Sequence, residues 1–219
     1  MSRSGSTWLY NVVRAFRPDL TGIYCERGSD LPEPAHGLLI KCHGPDDAMI
    51  GKVLDEGFPV ILTVRDPRDV AVSFMDCFHE TLSAAMATLP LCAAPIVKLA
   101  DSAALTLKYE NDFPHQIGTV EAVARLAGST SELAPDEVSE RLHRDSVRRE
   151  VARLEREVFD PALGPAQHDA QSHWHPSHVG DAMVGKFADR LGQAEQAEIL
   201  DLTRTYCDRF GYRAVAAIP

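Results

Sequence analysis

Val60-Ile61-Leu62-Thr63-Val64-Arg65-Asp66-Pro67-Arg68-Asp69-Val70-Ala71-Val72-Ser73-Phe74 decides the fold class. The first five residues are a β-branched apolar run of strand length, bounded upstream by Gly57 and Pro59. Arg65 to Asp69 turns the chain, and a helix is predicted over residues 68–82. Working back toward the N-terminus, a helix is predicted over 46–56. Before it lies Gly37-Leu38-Leu39-Ile40-Lys41-Cys42-His43, whose residues 38–42 form a second short apolar strand. Working forward, residues 86–100 read as a less regular Ala/Pro/Leu stretch, and a third strand covers 104–108, ending in Tyr109-Glu110-Asn111. Helices follow at 114–126, at the charged stretch 135–159 and at 193–210, with a long Pro-, Gly- and His-rich loop over 160–180. Strands separated by helix-length segments predict an α/β fold: three layers, a mostly parallel central sheet, helices on both faces. The chain reads as one domain over residues 1–219. In such sheets ligands collect at the C-terminal strand ends, and His43, Arg65 and Tyr109 each follow one.

The N-terminus adds an anion site. Arg3-Ser4-Gly5-Ser6-Thr7-Trp8-Leu9 opens onto a helix predicted over 6–16. Gly5 lets backbone approach a ligand closely. The first helical turn leaves N–H groups without intrahelical partners, and the helix dipole adds positive potential there. Ser4, Ser6 and Thr7 supply hydroxyls, and Arg3 supplies planar donors matched to a phosphate or sulfonate. No G-x-x-x-x-G-K-[ST] motif occurs, and the cation precedes the glycine. Only Met1 and Ser2 precede Arg3. The strand that should lead into such a loop is therefore expected to be absent, with the sheet open at its middle and residues 1–9 poorly held.

Composition agrees with a soluble enzyme. The 219 residues are 45% hydrophobic, enough for one full core. A net charge of −10 argues against a nucleic-acid binder, which usually carries a basic face. It also makes the few cations more telling, because an anion site must concentrate them locally. No uninterrupted apolar run suggests a membrane span, and no leader pattern is read. Five scattered cysteines (Cys25, Cys42, Cys77, Cys92, Cys207) form no C-x-x-C pair, which suits a reducing cytosol and a cytoplasmic location.

Taken together, the three motifs resemble those of the sulfotransferases that use 3′-phosphoadenosine 5′-phosphosulfate (PAPS), and the resemblance runs over most of the chain. It implies a P-loop-NTPase-like architecture, PAPS as cosubstrate, no metal requirement and a small hydroxylated acceptor. Arg3-Ser4-Gly5-Ser6-Thr7-Trp8 is similar to the family's 5′-phosphosulfate loop, with Arg3 at the family's lysine position, where it would stabilise the leaving phosphate. Lys41-Cys42-His43 resembles the Lys-Thr-His element: His43 would be the base and Lys41 would contact the sulfonate. Arg65 and Ser73 would bind the 3′-phosphate. Tyr109-Glu110 resembles the Tyr-Glu element, placing Tyr109 near the adenine, and Trp8 would also lie close to the nucleotide. His178-Val179-Gly180 and Gly185-Lys186-Phe187 resemble, in degenerate form, the family's Arg-Lys-Gly and Gly-Asp-Trp-Lys segments.

The residues carry the chemistry on their own terms too. A histidine with an ordinary pKa of ~6.5 suits proton abstraction at neutral pH, and Lys41, two residues away, shares its strand face if the strand persists. Each also has a structural account: a strand-end histidine bonded to backbone, an Arg65 paired with Asp66 or Asp69, a Tyr109 filling the core edge. His173-x-His175-x-x-His178, with His168, fixes no metal geometry and reads as part of a lid. Residues 75–100 are expected to line a partly apolar acceptor pocket. Two alternatives stay open: a small-molecule or nucleoside kinase, which would want a Walker lysine and a hydroxyl on Mg²⁺, and a catalytically inactive protein that binds phosphoadenosine nucleotides.

Overall fold

The structure is a computed structural model that describes residues 1–160, 162, 167–176 and 179–213. It is α/β. In chain order the elements are α1 (Ser6–Phe16), β1 (Thr21–Tyr24), β2 (Leu38–Lys41), α2 (Asp47–Asp55), β3 (Val60–Val64), α3 (Pro67–Phe78), α4 (Leu82–Leu99), β4 (Ala103–Lys108), α5 (Ile117–Ala127), α6 (Pro135–Arg141), α7 (Arg144–Glu157), α8 (Phe187–Arg190), α9 (Gln193–Leu202) and α10 (Arg204–Phe210).

All strand pairing is parallel. β1 pairs with β2, Thr21 opposite Leu38 and Tyr24 opposite Lys41. β3 pairs with β4, Val64 opposite Lys108, with an irregularity between Val60 and Ile61. Among the described residues these are two separate two-stranded sheets, where one mostly parallel central sheet was expected. Helices do lie on both faces of the β3–β4 pair. Leu62 and Val64 join the cluster built from α3, α4, α9 and α10, whereas Ile61, Leu105 and Leu107 pack with Trp8, Val12 and Phe16 of α1 and Val120 and Val123 of α5. Strand alternation alone sends neighbouring residues to opposite layers.

The N-terminal loop is packed, contrary to the expectation of an unsupported segment. The Met1 amino group donates to Thr63 O at 2.9 Å, and the Ser4 hydroxyl, fully buried, meets Thr63 O at 3.2 Å and Thr63 Oγ1 at 2.7 Å. The loop thus leans on β3 directly.

Four helices differ from the sequence reading. The helix expected over 68–82 ends at Phe78, where His79 turns left-handed (φ 56°). Residues 82–99 form one 18-residue helix, not an irregular stretch, although Pro90 and Pro95 lie inside it. A proline in a helix interior costs ~3 kcal/mol. The Thr81 cap on Ala84 N and the burial of Ala85, Leu89, Ala93, Ile96 and Leu99 offset that cost. By length and composition α4 could cross a membrane; here it packs against α3, α9 and α10. The 135–159 stretch divides at Leu142 and His143. The last helix divides at Thr203, whose hydroxyl donates back to Ile199 O at 2.7 Å and competes with the helical ladder.

Candidate functional site

A cleft of about 850 Å³ opens where the strands end. Tyr24 ends β1, Lys41 ends β2 with His43 just beyond, Arg65 follows β3, and Tyr109 follows β4; all line the cleft. The loop before α1 forms one wall through Arg3, Gly5, Ser6, Thr7 and Trp8. Gly5 is left-handed (φ 84°), and a Cβ there would sit 2.8 Å from the Phe113 ring, so the turn demands glycine. No side chain caps α1. The first helical residues, Ser6, Thr7 and Trp8, line the cleft at the positive end of the helix dipole.

Two hydrogen bonds tie the sequence motifs together. Arg3 Nε donates to Ser73 Oγ at 3.2 Å, joining the loop to α3. Ser6 Oγ lies 3.1 Å from His43 Nε2, joining the loop to the segment after β2. Arg65 is buried and held by its surroundings: NH1 donates to Arg3 O at 3.0 Å, NH2 to Met183 O at 2.8 Å, and the guanidinium lies 4.2 Å from the Tyr109 ring centre. Its Nε is buried with no hydrogen-bond partner among the described residues, as are Trp8 Nε1, Arg144 Nε and His173 Nε2, all from cleft-lining residues. Buried polar atoms without partners are costly, and four of them gather on this one cleft.

Electrostatics point the same way. Burial, then the Arg3 guanidinium, brings the Lys41 ammonium down to about 8. Burial pushes His43 well below its ordinary value, helped by Lys41, the Met1 amino group, Arg3 and His175. His43 is thus neutral at physiological pH, with a lone pair for proton abstraction. A bound polyanion would offset those cations and raise its basicity.

Of the residues singled out from the sequence, His43, Lys41, Arg3, Gly5, Ser6, Thr7, Trp8, Arg65, Ser73, Tyr109, Val179 and Gly180 all line this cleft. Ser4 does not: its hydroxyl is committed to Thr63, so it supports the loop from behind. His178 lies outside the described residues. The acceptor wall is only partly as expected, because Asp76, Cys77 and Phe78 line the cleft but α4 turns its apolar face into the core.

The described part of the segment expected to form a lid is anchored at several points. Asn11 Nδ2 donates to Ser172 O at 2.8 Å, Trp174 is buried against α7, and Arg144 NH2 donates to Gly180 O at 2.7 Å. His173 packs on Tyr10 with ring centres 4.5 Å apart, while His175 Nε2 lies 3.4 Å from Arg3 NH1. Among the described residues, no group of three metal-ligating side chains converges. Beyond Gly180, the fully buried Asp69 carboxylate accepts from Gly185 N at 2.6 Å and Phe187 N at 3.2 Å. Lys186 is paired with Asp76 at 2.5 Å and Asp181 at 2.8 Å.

Sequence reasoning missed Tyr24, Glu26, Arg144 and the Asp69 clamp. The only local signal for the first two was the short run Thr21-Gly22-Ile23-Tyr24, weakened by its glycine. Gly22 is required because a Cβ there would meet the Tyr10 hydroxyl at 1.9 Å. No protein-family model and no curated protein matches the chain.

Proposed function

We propose that this protein is a PAPS-dependent sulfotransferase of the P-loop-like kind, a single cytoplasmic domain that sulfonates a hydroxyl of a small acceptor. The observation that carries the reading is the convergence of three separate segments. The Arg3–Ser73 and Ser6–His43 hydrogen bonds bring an uncapped helix N-terminus, three cations (Arg3, Lys41, Arg65) and a neutral histidine to one cleft. Unpartnered buried polar atoms of Trp8, Arg65, Arg144 and His173 on residues lining the same cleft support a polar ligand there.

PAPS would supply an activated sulfonate on a phosphate leaving group. The chain's residues would do the rest. The α1 N-terminus and Arg3 would hold the 5′-phosphosulfate end, and Arg65 and Ser73 the 3′-phosphate. Arg3 clamps two oxygens but, always charged, donates no proton. Lys41 would balance charge on the moving sulfonate, and His43 would take the acceptor's proton through Nε2. Tyr24, Phe78 and His175 give the acceptor side aromatic walls.

Calorimetry tests the binding half. The protein should bind 3′-phosphoadenosine 5′-phosphate more tightly than adenosine 5′-phosphate, and Arg65→Ala should erase most of the difference. Transfer of label from PAPS to a panel of hydroxylated acceptors in EDTA tests the chemistry. Activity that requires Mg²⁺ would favour the kinase reading, and nucleotide binding without any turnover the inactive-binder reading. His43→Ala should lower transfer by roughly 10²–10⁴-fold while leaving nucleotide binding nearly intact.

A further inference from the structure

Tyr24 at the end of β1 and Glu26 just beyond it form a chain of contacts with the candidate base. Tyr24 OH donates a short hydrogen bond to Glu26 Oε1. The same phenol oxygen lies 3.4 Å from His43 Nδ1, and the two rings meet edge-on with centres 5.6 Å apart. On the other side of the imidazole, Nε2 lies 3.1 Å from Ser6 Oγ at the cleft wall. Glu26 Oε1 also accepts from Gly44 N at 3.4 Å, so one carboxylate grips both the end of β1 and the residue after His43.

The donor count fixes the direction of this chain. Tyrosine has one O–H proton, and here it goes to a carboxylate, which can only accept. The phenol oxygen is left as an acceptor toward His43, an arrangement satisfied when Nδ1 is the protonated nitrogen. A neutral imidazole has one N–H; Nε2 therefore carries the lone pair, facing Ser6 and the cleft. Burial and the Glu26 carboxylate raise the Tyr24 pKa, which keeps the phenol protonated.

We propose that Tyr24 and Glu26 are positioning residues that hold His43 as its Nδ1–H tautomer, with Nε2 presented to the acceptor hydroxyl. The assignment deepens the sulfotransferase reading and rests on it for its chemistry. In the transfer step the acceptor O–H proton passes to Nε2. The acceptor oxygen bonds to sulfur as the bridging S–O bond breaks, and that bond's electron pair leaves on the phosphate. His43 becomes an imidazolium with Nδ1–H still donating to Tyr24, whose own proton stays with Glu26. No proton needs to move along the chain. The Glu26 charge, relayed through the phenol, opposes the repulsion that Lys41 and Arg3 impose on that imidazolium.

Long-range ¹H–¹⁵N correlation spectra of the nucleotide-free protein read the tautomer directly. The unmodified protein should show the Nδ1–H form of His43. Tyr24→Phe, which removes the hydroxyl but keeps the ring, should shift it toward a mixture with Nε2–H. Glu26→Gln should leave the ring packed but lower the pH at which His43 titrates. In turnover, both variants should lose roughly 10–100-fold in kcat, the range typical of partners that orient a histidine, at nearly unchanged KM. An Nε2–H tautomer in the unmodified protein, or an unaltered tautomer in Tyr24→Phe, overturns the assignment. The spectra need no nucleotide, so a protein that shows the expected tautomer shift yet binds no phosphoadenosine nucleotide sinks the sulfotransferase reading and not this one.

Discussion

Arg3 and Ser73 stand 70 residues apart in the chain, and the Arg3 Nε donates to the Ser73 hydroxyl over 3.2 Å. The bond spans the cleft wall between the loop before α1 and the middle of α3. Arg3 holds this reach from a left-handed backbone (φ 56°), an uncommon conformation for a side chain of its size, and Arg65 bonds its carbonyl. Strain of this kind persists where surrounding contacts over-determine it.

Ser73→Ala tests whether the hydroxyl meets the 3′-phosphate. A hydrogen bond to a charged group contributes about 1.5–3 kcal/mol. Affinity for 3′-phosphoadenosine 5′-phosphate should therefore fall about tenfold or more, with affinity for adenosine 5′-phosphate unchanged. Equal losses for both nucleotides in calorimetry would mean that Ser73 only orients Arg3.

Gly5→Ala should be among the most damaging single-methyl changes. It forces a side chain into φ 84° and drives the new Cβ to 2.8 Å from Phe113 Cζ. Expected losses are about 1–3 kcal/mol of stability from the backbone alone, together with most of the nucleotide affinity. Phe113→Leu in the same chain should relieve the clash but not the dihedral cost. A double variant melting at the wild-type temperature would show that the left-handed turn is not required.

Much of this architecture was written locally. The strands at 60–64 and 104–108 and the helix of residues 6–16 are set by apolar runs and flanking turn residues, and all emerged close to their expected bounds. β1 did not, because its glycine is explained by Tyr10, a contact no local pattern carries. α4 was obscured by two prolines whose cost is offset only by tertiary burial. Within the site, His43, Arg65 and Tyr109 were legible because each follows a strand, and the 3–8 loop because it opens a helix; Ser73, inside α3, was legible only through the motif that precedes it. The lid contacts were not: His175 reaches Arg3 across 172 residues, and Asp69 finds Gly185 across 116.

Stability should fall between about pH 6.5 and pH 4. Burial is the largest cause lowering both His173 and His175 to about 4 from an ordinary 6.5. Over that window the unfolded chain binds protons that the folded chain refuses, so stability rises with pH there and is lost on acidification. The carboxylates held low by partners, such as Asp46 and Asp181, act only below their ordinary value of 3.8. The melting temperature should therefore drop on acidification before those carboxylates titrate. His173→Gln should flatten part of the slope; a slope unchanged in that variant would assign the loss to other groups.

A carboxylate clamp holds the segment after Gly180. Asp69 is fully buried on α3, its two oxygens accept from Gly185 N and Phe187 N, and Arg65 NH2 lies 4.0 Å away. Asp69→Asn keeps the shape but leaves one acceptor and turns an amide donor toward a backbone donor, stranding a buried N–H at about 1–3 kcal/mol. The loss should be local. The amides of Gly185 and Phe187 should exchange hydrogen faster by ~10-fold or more, while those of β3 and β4 keep their protection. Because Arg65 also bonds Met183 O, the loosened segment should release bound nucleotide faster with little change in its association rate. Exchange that accelerates equally across β3, β4 and the 181–190 segment would instead make Asp69 a support of the whole fold, and the idea of a separately opening lid would fail.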